Sequence, residues 1–346
     1  MPPWARALSR MLIYEVPGES EWCPACHSRH LFDLDLHVLR RPIRGQRIAF
    51  ITCCRACGLV FRNPTPSREE LASFYSPEGD WGARRAAPAA EVAPRDQRAR
   101  GRSWARMFDP IREAISVTEP PAGARVLDFG CGDGRLLDAL QDCGWETWGI
   151  ETSIDTAFRR HQKLDAIPAS ATFDLVIAHH VLEHLADPLI VLRQLAGACR
   201  MDGHLLVGVP RLDTLPIHRD YKYVLNGHAH VTAYTWSCLR TLLARAAWAP
   251  VGLPPAEIAK GGGRRTTSRL RVLARRVEGP VAEPPRPADE ARAAIRAYYA
   301  QRDSRPLLAR AGLLRLAARR AEAGRQRARA ARKSAKQAAV SGQRAT

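Results

Sequence analysis

The stretch VLDFGCGDGRLL, residues 126–137, limits what this chain can fold into more than any other. An apolar run ends at Asp128, and glycines then stand at 130, 132 and 134 before a helical pattern begins. A strand that must turn tightly into a helix, or bring its backbone close to a ligand, needs residues that tolerate left-handed dihedrals and lack a Cβ. A dinucleotide fingerprint would place its third glycine at 135, where this chain has Arg135, so a nicotinamide cofactor is disfavoured. Roughly twenty residues further on, the next apolar run, WETWGIE, ends on Glu151, where a carboxylate can accept from both hydroxyls of a ribose. The alternative reading of the glycines is a plain tight strand-to-helix turn.

Around this segment, short apolar runs alternate with helical patterns: ARVLDFG, GRLLDALQDCG, ETWGIE, FDLVIAHH, PLIVLRQLAGACR and GHLLVGVP. That alternation predicts an α/β fold with a doubly wound, mostly parallel sheet. Residues 234–248 read as a helix, and APVGLPPAEIAK and RLRVLARRV as the last two strands. Upstream, LFDLDLHVL and RIAFITC alternate as strands around a turn at Arg44-Gly45-Gln46. In TPSREELASFY, Ser67 ahead of Glu69 and Glu70 marks a helix N-terminus. Residues 77–100 read as a linker or lid, and 103–116 as a helix with Trp104, Met107, Phe108, Ile111 and Ile115 on one face. The expected layout is a β-rich cysteine module over 21–64, a helical connector over 65–122, a catalytic domain over 123–277, a Pro-rich linker over 278–289 and a basic tail over 290–346.

Cys23-Pro-Ala-Cys26 and Cys54-Arg-Ala-Cys57 are two Cys-x-x-Cys pairs, and four thiolates suit a closed tetrahedral zinc site that serves the fold. Cys53 breaks the spacing and is left out of the ligand set. Reduced cysteines without metal are the bland alternative, and redox chemistry lacks a thioredoxin-like setting. Cys131, Cys143, Cys199 and Cys238 read as small buried apolar residues. The N-terminus lacks a secretory pattern, and no apolar run approaches the roughly 18 to 20 residues that cross a bilayer, so a soluble chain in a reducing, cytoplasmic setting is expected.

VLDFGCGDG, WGIE and FDLVIAHHVLEH resemble motifs I, II and IV of class I S-adenosylmethionine-dependent methyltransferases, and the resemblance extends over residues 123–277. It implies a Rossmann-like sheet with S-adenosylmethionine as cofactor. Asp128 would hold the methionine amino group, Gly130, Cys131 and Gly132 would bring the backbone to the cofactor, Glu151 would hold the ribose, and His179 would touch the cofactor from the end of the fourth strand. One departure stands out. Only 21 residues separate Glu151 from Phe173, so the third strand is expected to be short or missing, and Asp165 is a weak candidate for the adenine. CGLVFRNPTPSREELASFY resembles the N-terminal zinc-binding segment of bacterial methyltransferases associated with cell-surface saccharides and small molecules.

HHVLEHLADP puts His180, Glu183 and His184 just beyond the fourth strand, where an acceptor would lie. Three roles are open: a general base, ligands of a divalent metal as in the similar Glu-x-x-Glu-His pattern of quinone-biosynthesis and small-RNA methyltransferases, or structural hydrogen bonding. His180 in place of the first Glu makes magnesium less suitable. His218, His228 and His230 are further candidates for the same mouth. The acceptor expected is a small molecule, a hydroxyl of a saccharide or related metabolite. The formal net charge of +18 invites a second class, RNA or an anionic membrane surface, but fifteen Lys and Arg against two acids fall within residues 291–346. An RNA-directed enzyme using this tail and a binding protein that has lost catalysis are the alternatives. The absence of an Asn-Pro-Pro-aromatic element argues against methylation of a base nitrogen.

Overall fold

The computed structural model describes residues 20–38, 48–76, 78–79, 120, 122–152, 161–170, 172–214, 230–252 and 269–300, all within one compact unit, Gly18–Gln301. The expected helix at 103–116, the turn at 44–46, nearly all of the 77–100 segment, His218, His228 and the chain after residue 300 lie outside the described residues. No helix among the described residues is long and apolar enough to cross a membrane.

The first elements are β1 (Leu31–Val38), β2 (Ile48–Cys54), β3 (Val60–Asn63) and α1 (Arg68–Tyr75). Then come β4 (Arg125–Phe129), α2 (Arg135–Gln141), β5 (Glu146–Ile150), β6 (Gln162–Lys163), β7 (Phe173–His179), α3 (Pro188–Ala198) and β8 (Cys199–Pro210). The series closes with β9 (Thr232–Ala233), α4 (Trp236–Arg245), β10 (Trp248–Gly252), β11 (Arg269–Arg276) and α5 (Ala288–Ala300). Ser67 caps α1 through a reciprocal pair, its hydroxyl accepting from the Glu70 N–H at 3.2 Å while Glu70 accepts from the Ser67 N–H at 2.9 Å.

Seven strands form one sheet in the order β10-β11-β8-β7-β4-β5-β6. The pairs among β6, β5, β4, β7 and β8 are parallel, and β11 runs antiparallel to both β8 and β10. The central strands are apolar on both faces because helices cover both, and Val126, Leu127, Val176, Ile177 and Ala178 are fully buried. Strand order reverses between β4 and β7, and a crevice opens at the carboxyl ends of such neighbours, where ligands bind in doubly wound sheets. β6 is the expected short third strand, two residues pairing with Trp148 and Gly149.

The second sheet, β1-β2-β3-β9, is antiparallel throughout. Its last strand comes from beyond β8, so the cysteine-bearing hairpin is completed by a distant piece of chain. Helix α5 covers this sheet by burying Ala291, Ile295 and Tyr298 with Ile51, Cys53, Val60 and Leu212. The expected tail boundary at 290 therefore falls inside a packed helix. In the expected linker, Glu283 is paired with Arg245 at 2.8 Å.

Candidate active site

The turn after β4 is built as the glycines require. Gly130, Gly132 and Gly134 have φ of +77°, +59° and +78°. The N–H groups of Gly130 and Cys131 donate to the Ile150 carbonyl at 2.8 and 3.1 Å, which ties the turn to the end of β5. A Cβ on Gly130 would lie 2.5 Å from Val181 Cγ2, so only glycine fits there without a shift. Glu151 turns toward this loop, its carboxylate accepting from the Gly132 N–H at 2.9 Å and the Thr152 N–H at 3.0 Å. Asp128 is buried, and desolvation, with the Glu151 charge adding to it, pushes its carboxyl up to about 7. The Cys131 thiol is likewise held up by burial.

Across the crevice, β7 ends in two histidines. Gly208 on β8 leaves space for the His179 ring, since a Cβ there would sit 2.3 Å from it. His180 has φ +59°, a left-handed backbone uncommon for a residue with a side chain, held by its N–H donating to the Gly208 carbonyl at 2.7 Å. Its Nδ1 lies 2.8 Å from Glu183 Oε1, and Glu183 is fully buried. Burial alone would raise the Glu183 carboxyl, but the His180 hydrogen bond and the nearby His184 charge outweigh it and leave the group below its ordinary value. An ionised carboxylate only accepts, so His180 donates to it from Nδ1. Glu183 Oε2 and His180 Nε2 are buried with no hydrogen-bond partner among the described residues. His184 stands on the other side of the carboxylate, with Nε2 4.0 Å from Glu183 Oε1 and Nδ1 2.6 Å from the Tyr75 hydroxyl. The His230 ring packs against His184 at 4.8 Å between centroids.

These groups surround a cavity of about 430 Å³, within the range of small-molecule sites. It is lined by Phe129, Gly130, Ile150, Glu151 and Thr152 from the strand ends around the glycine turn, by His180, Val181 and His184 from the turn after β7, and by Leu185, Ala186, Asp187, Ile190, Val191 and Gln194 leading into and along α3. Helix α1 covers it with Arg68, Leu71, Ala72 and Tyr75. Asp128, Cys131, Gly132, His179 and Glu183 are set back from the wall. Of the expected site residues, Gly130, Glu151, His180 and His184 line the cavity, and Gly132 and Glu183 are bonded to two of them. Arg68 and Tyr75 were missed at the level of sequence. Their helix was readable from its cap, but nothing local says which cavity it covers.

Among the described residues, two sets of side chains suit a metal. The sulfurs of Cys23, Cys26, Cys54 and Cys57 all lie within 4.8 Å of one another, with Cys23–Cys57 and Cys26–Cys54 each at 3.6 Å. A zinc tetrahedron with 2.3 Å bonds separates its sulfurs by about 3.8 Å, so the set fits. The two knuckles close through His27 N–H to Cys23 O at 3.0 Å and Gly58 N–H to Cys54 O at 2.9 Å, with positive φ at His27 and Gly58. Hydrogen bonding from Cys23 holds the Cys54 thiol down to about 7, whereas the neighbouring thiols push Cys57 up. Cys53 points elsewhere, toward the Cys54 and Gly58 carbonyls, as its exclusion from the set requires. The second set, Glu183, His184 and His230, offers one carboxylate and two imidazoles within 4.8 Å, a mix that favours zinc or manganese over magnesium.

Comparison with known proteins bears on the same region. Residues 98–251 match the family described as Methyltransferase domain. A ubiquinone biosynthesis O-methyltransferase of Xanthomonas axonopodis pv. citri is 30% identical over 117 residues, covering 29% of this chain and 49% of that protein. The protein of the same name from Ralstonia nicotianae is 30% identical over 135 residues, covering 34% of this chain and 54% of its own. The chain thus spans about half the length of the curated relatives it matches. Among solved structures, the magnesium protoporphyrin IX methyltransferase of Synechocystis PCC 6803 with bound SAH covers 61% of this chain and 100% of its own at 16% identity and TM-score 0.42. Residues 98–251 are accordingly similar to methyltransferase domains.

Proposed function

We propose that the protein transfers a methyl group from S-adenosylmethionine to a hydroxyl of a small molecule, with His180 as the base. The observation that carries this reading is the carboxylate of Glu151 folded onto the Gly132 N–H, at the sheet's switch point, in a cavity that His180 also lines. Glu151 would hold the ribose hydroxyls, Asp128 the methionine amino group, and Gly130 and Gly132 the space the cofactor needs, with Cys131 and His179 beside them. When bound, S-adenosylmethionine supplies a methyl on a sulfonium that leaves as a neutral thioether as an oxygen lone pair attacks the carbon. To take the hydroxyl proton, the buried His180 Nε2 must turn into contact with the acceptor, while Glu183 holds the opposite nitrogen and stabilises the imidazolium that forms.

The relatives named as O-methyltransferases make oxygen the first acceptor atom to test. Away from the glycine turn the lining is mostly apolar, with Leu71, Ala72, Leu185, Ala186, Ile190 and Val191, and its polar groups are Arg68, Tyr75, His184, Asp187 and Gln194. Each sugar hydroxyl buried there without a partner would cost roughly 1 to 3 kcal/mol. The wall therefore favours a mostly apolar body carrying a hydroxyl over the saccharide suggested by the N-terminal resemblance. The test is product mass analysis with matched panels of phenols and sugars. A methylated phenol is expected, and turnover of sugars alone would overturn the acceptor class.

The four cysteines are assigned to a structural zinc. A second reading of the histidine cluster, a divalent metal on Glu183, His184 and His230, is favoured by the buried, unpartnered Glu183 Oε2. Two zinc ions per chain would support it, and one would favour the base alone.

A further inference from the structure

The cysteine module and the histidine turn are joined by an unbroken set of short bonds. Cys54 ends β2, and its knuckle closes with the Cys54 N–H donating to Leu59 O at 2.9 Å, immediately before β3 begins. β3 pairs with β9 through Val60 opposite Ala233 and Phe61 opposite Thr232, and the Arg62 N–H adds a bond to Val231 O at 2.9 Å. From that strand, the Thr232 and Tyr234 hydroxyls both donate to the Leu182 carbonyl, at 3.0 and 2.9 Å. The Val231 N–H donates to the Glu183 carbonyl at 2.8 Å. Phe61, Thr232 and Tyr234 are fully buried, so these bonds do not compete with water. The turn they hold, Leu182–His184, carries both Glu183 and His184, and His230 lies two residues before the strand. The nucleoside end takes its bonds instead from β4 and β5, through Ile150, Gly132 and Glu151.

We propose that the cysteine module is a working part of the acceptor side, with Thr232 and Tyr234 as positioning residues: an ordered cysteine cluster fixes β3, β3 fixes β9, and β9 fixes the turn bearing Glu183 and His184. Emptying the cluster loosens that turn and leaves the nucleoside end in place. The inference rests on the methyl-transfer reading for what the turn does, and on the hydrogen bonds alone for how it is held.

The experiment compares the full chain with Cys54→Ser and with the double variant Thr232→Val, Tyr234→Phe, each assayed for zinc content, S-adenosylhomocysteine affinity and local hydrogen exchange. In Cys54→Ser, exchange should rise about tenfold or more at residues 60–63, 182–185 and 230–234, and stay within about twofold at 126–132 and 146–151. Affinity for S-adenosylhomocysteine should hold within about twofold. Should Cys54→Ser fail to fold, the double variant decides, because it keeps the cysteines: it should retain zinc and normal exchange at 23–58 while the turn opens. A turn that stays protected in a folded variant overturns the inference, as does a loss of protection spread equally to 126–132. If the parent chain fails to bind S-adenosylhomocysteine, the methyl-transfer reading falls, and the exchange result still tests how the turn is held.

Discussion

Asp128 is held in an unusual state by its surroundings, and that makes it testable apart from any ligand. Its carboxyl is raised from 3.8 to about 7, first by burial and then by Glu151. Below about pH 3.8 both folded and unfolded chains carry the proton, and the group is neutral to stability. Between about 4 and 7 the unfolded chain releases it while the folded chain keeps it, so stability falls as pH rises through that window. Asp128→Asn cannot titrate. In urea melts it should become more stable than the parent between pH 4 and pH 8, by an amount on the order of 4 kcal/mol that grows across the window. A difference independent of pH would contradict this. For the base, His180→Ala should lower kcat by about 10²- to 10⁴-fold and leave S-adenosylhomocysteine affinity within about twofold; an unchanged kcat would remove His180 from its role. Asp128, Gly130 and Glu151 were legible because each sits at a strand end, where local pattern fixes position. Tyr75 was not, because its contact with His184 spans 109 residues of chain and depends on how α1 docks.

At the level of elements, the glycine turn and β7 are fitted to each other. Gly130→Ala would set a Cβ 2.5 Å from Val181 Cγ2 at φ +77°. It should cost about 1 to 3 kcal/mol of stability and weaken cofactor binding. Adding Val181→Ala should recover part of the stability, because it removes the clash and leaves the dihedral penalty. No recovery would mean that the contact does not limit the turn. The parallel strands were readable as short apolar runs between helical patterns. β9 was not, because two residues carry no period and its partner, β3, lies far back in the chain. Helix α5 was read as tail for another reason: its buried positions, Ala291, Ile295 and Tyr298, recur at helical spacing but are submerged in an Ala- and Arg-rich background. Ile295→Ala should therefore cost about 2 to 5 kcal/mol, measured by denaturant unfolding. A loss below about 0.5 kcal/mol would indicate an exposed side chain.

For the molecule as a whole, charge and chemistry fall on different stretches of the sequence. Fifteen Lys and Arg lie within residues 291–346, whereas the cavity is lined by residues between Arg68 and Gln194. A chain ended at residue 300 should bind S-adenosylhomocysteine within about twofold of the parent and lose the salt-sensitive part of any binding to RNA or anionic vesicles. The central claim is that the glycine turn and Glu151 together hold a nucleoside carrying the methyl donor. Calorimetric titration of S-adenosylhomocysteine into the parent chain and into Glu151→Ala tests it most directly. One site per chain is expected in the parent and a loss of about tenfold or more in Glu151→Ala, equivalent to about 1.4 kcal/mol. No binding by the folded parent, or equal affinity in the two, would contradict it.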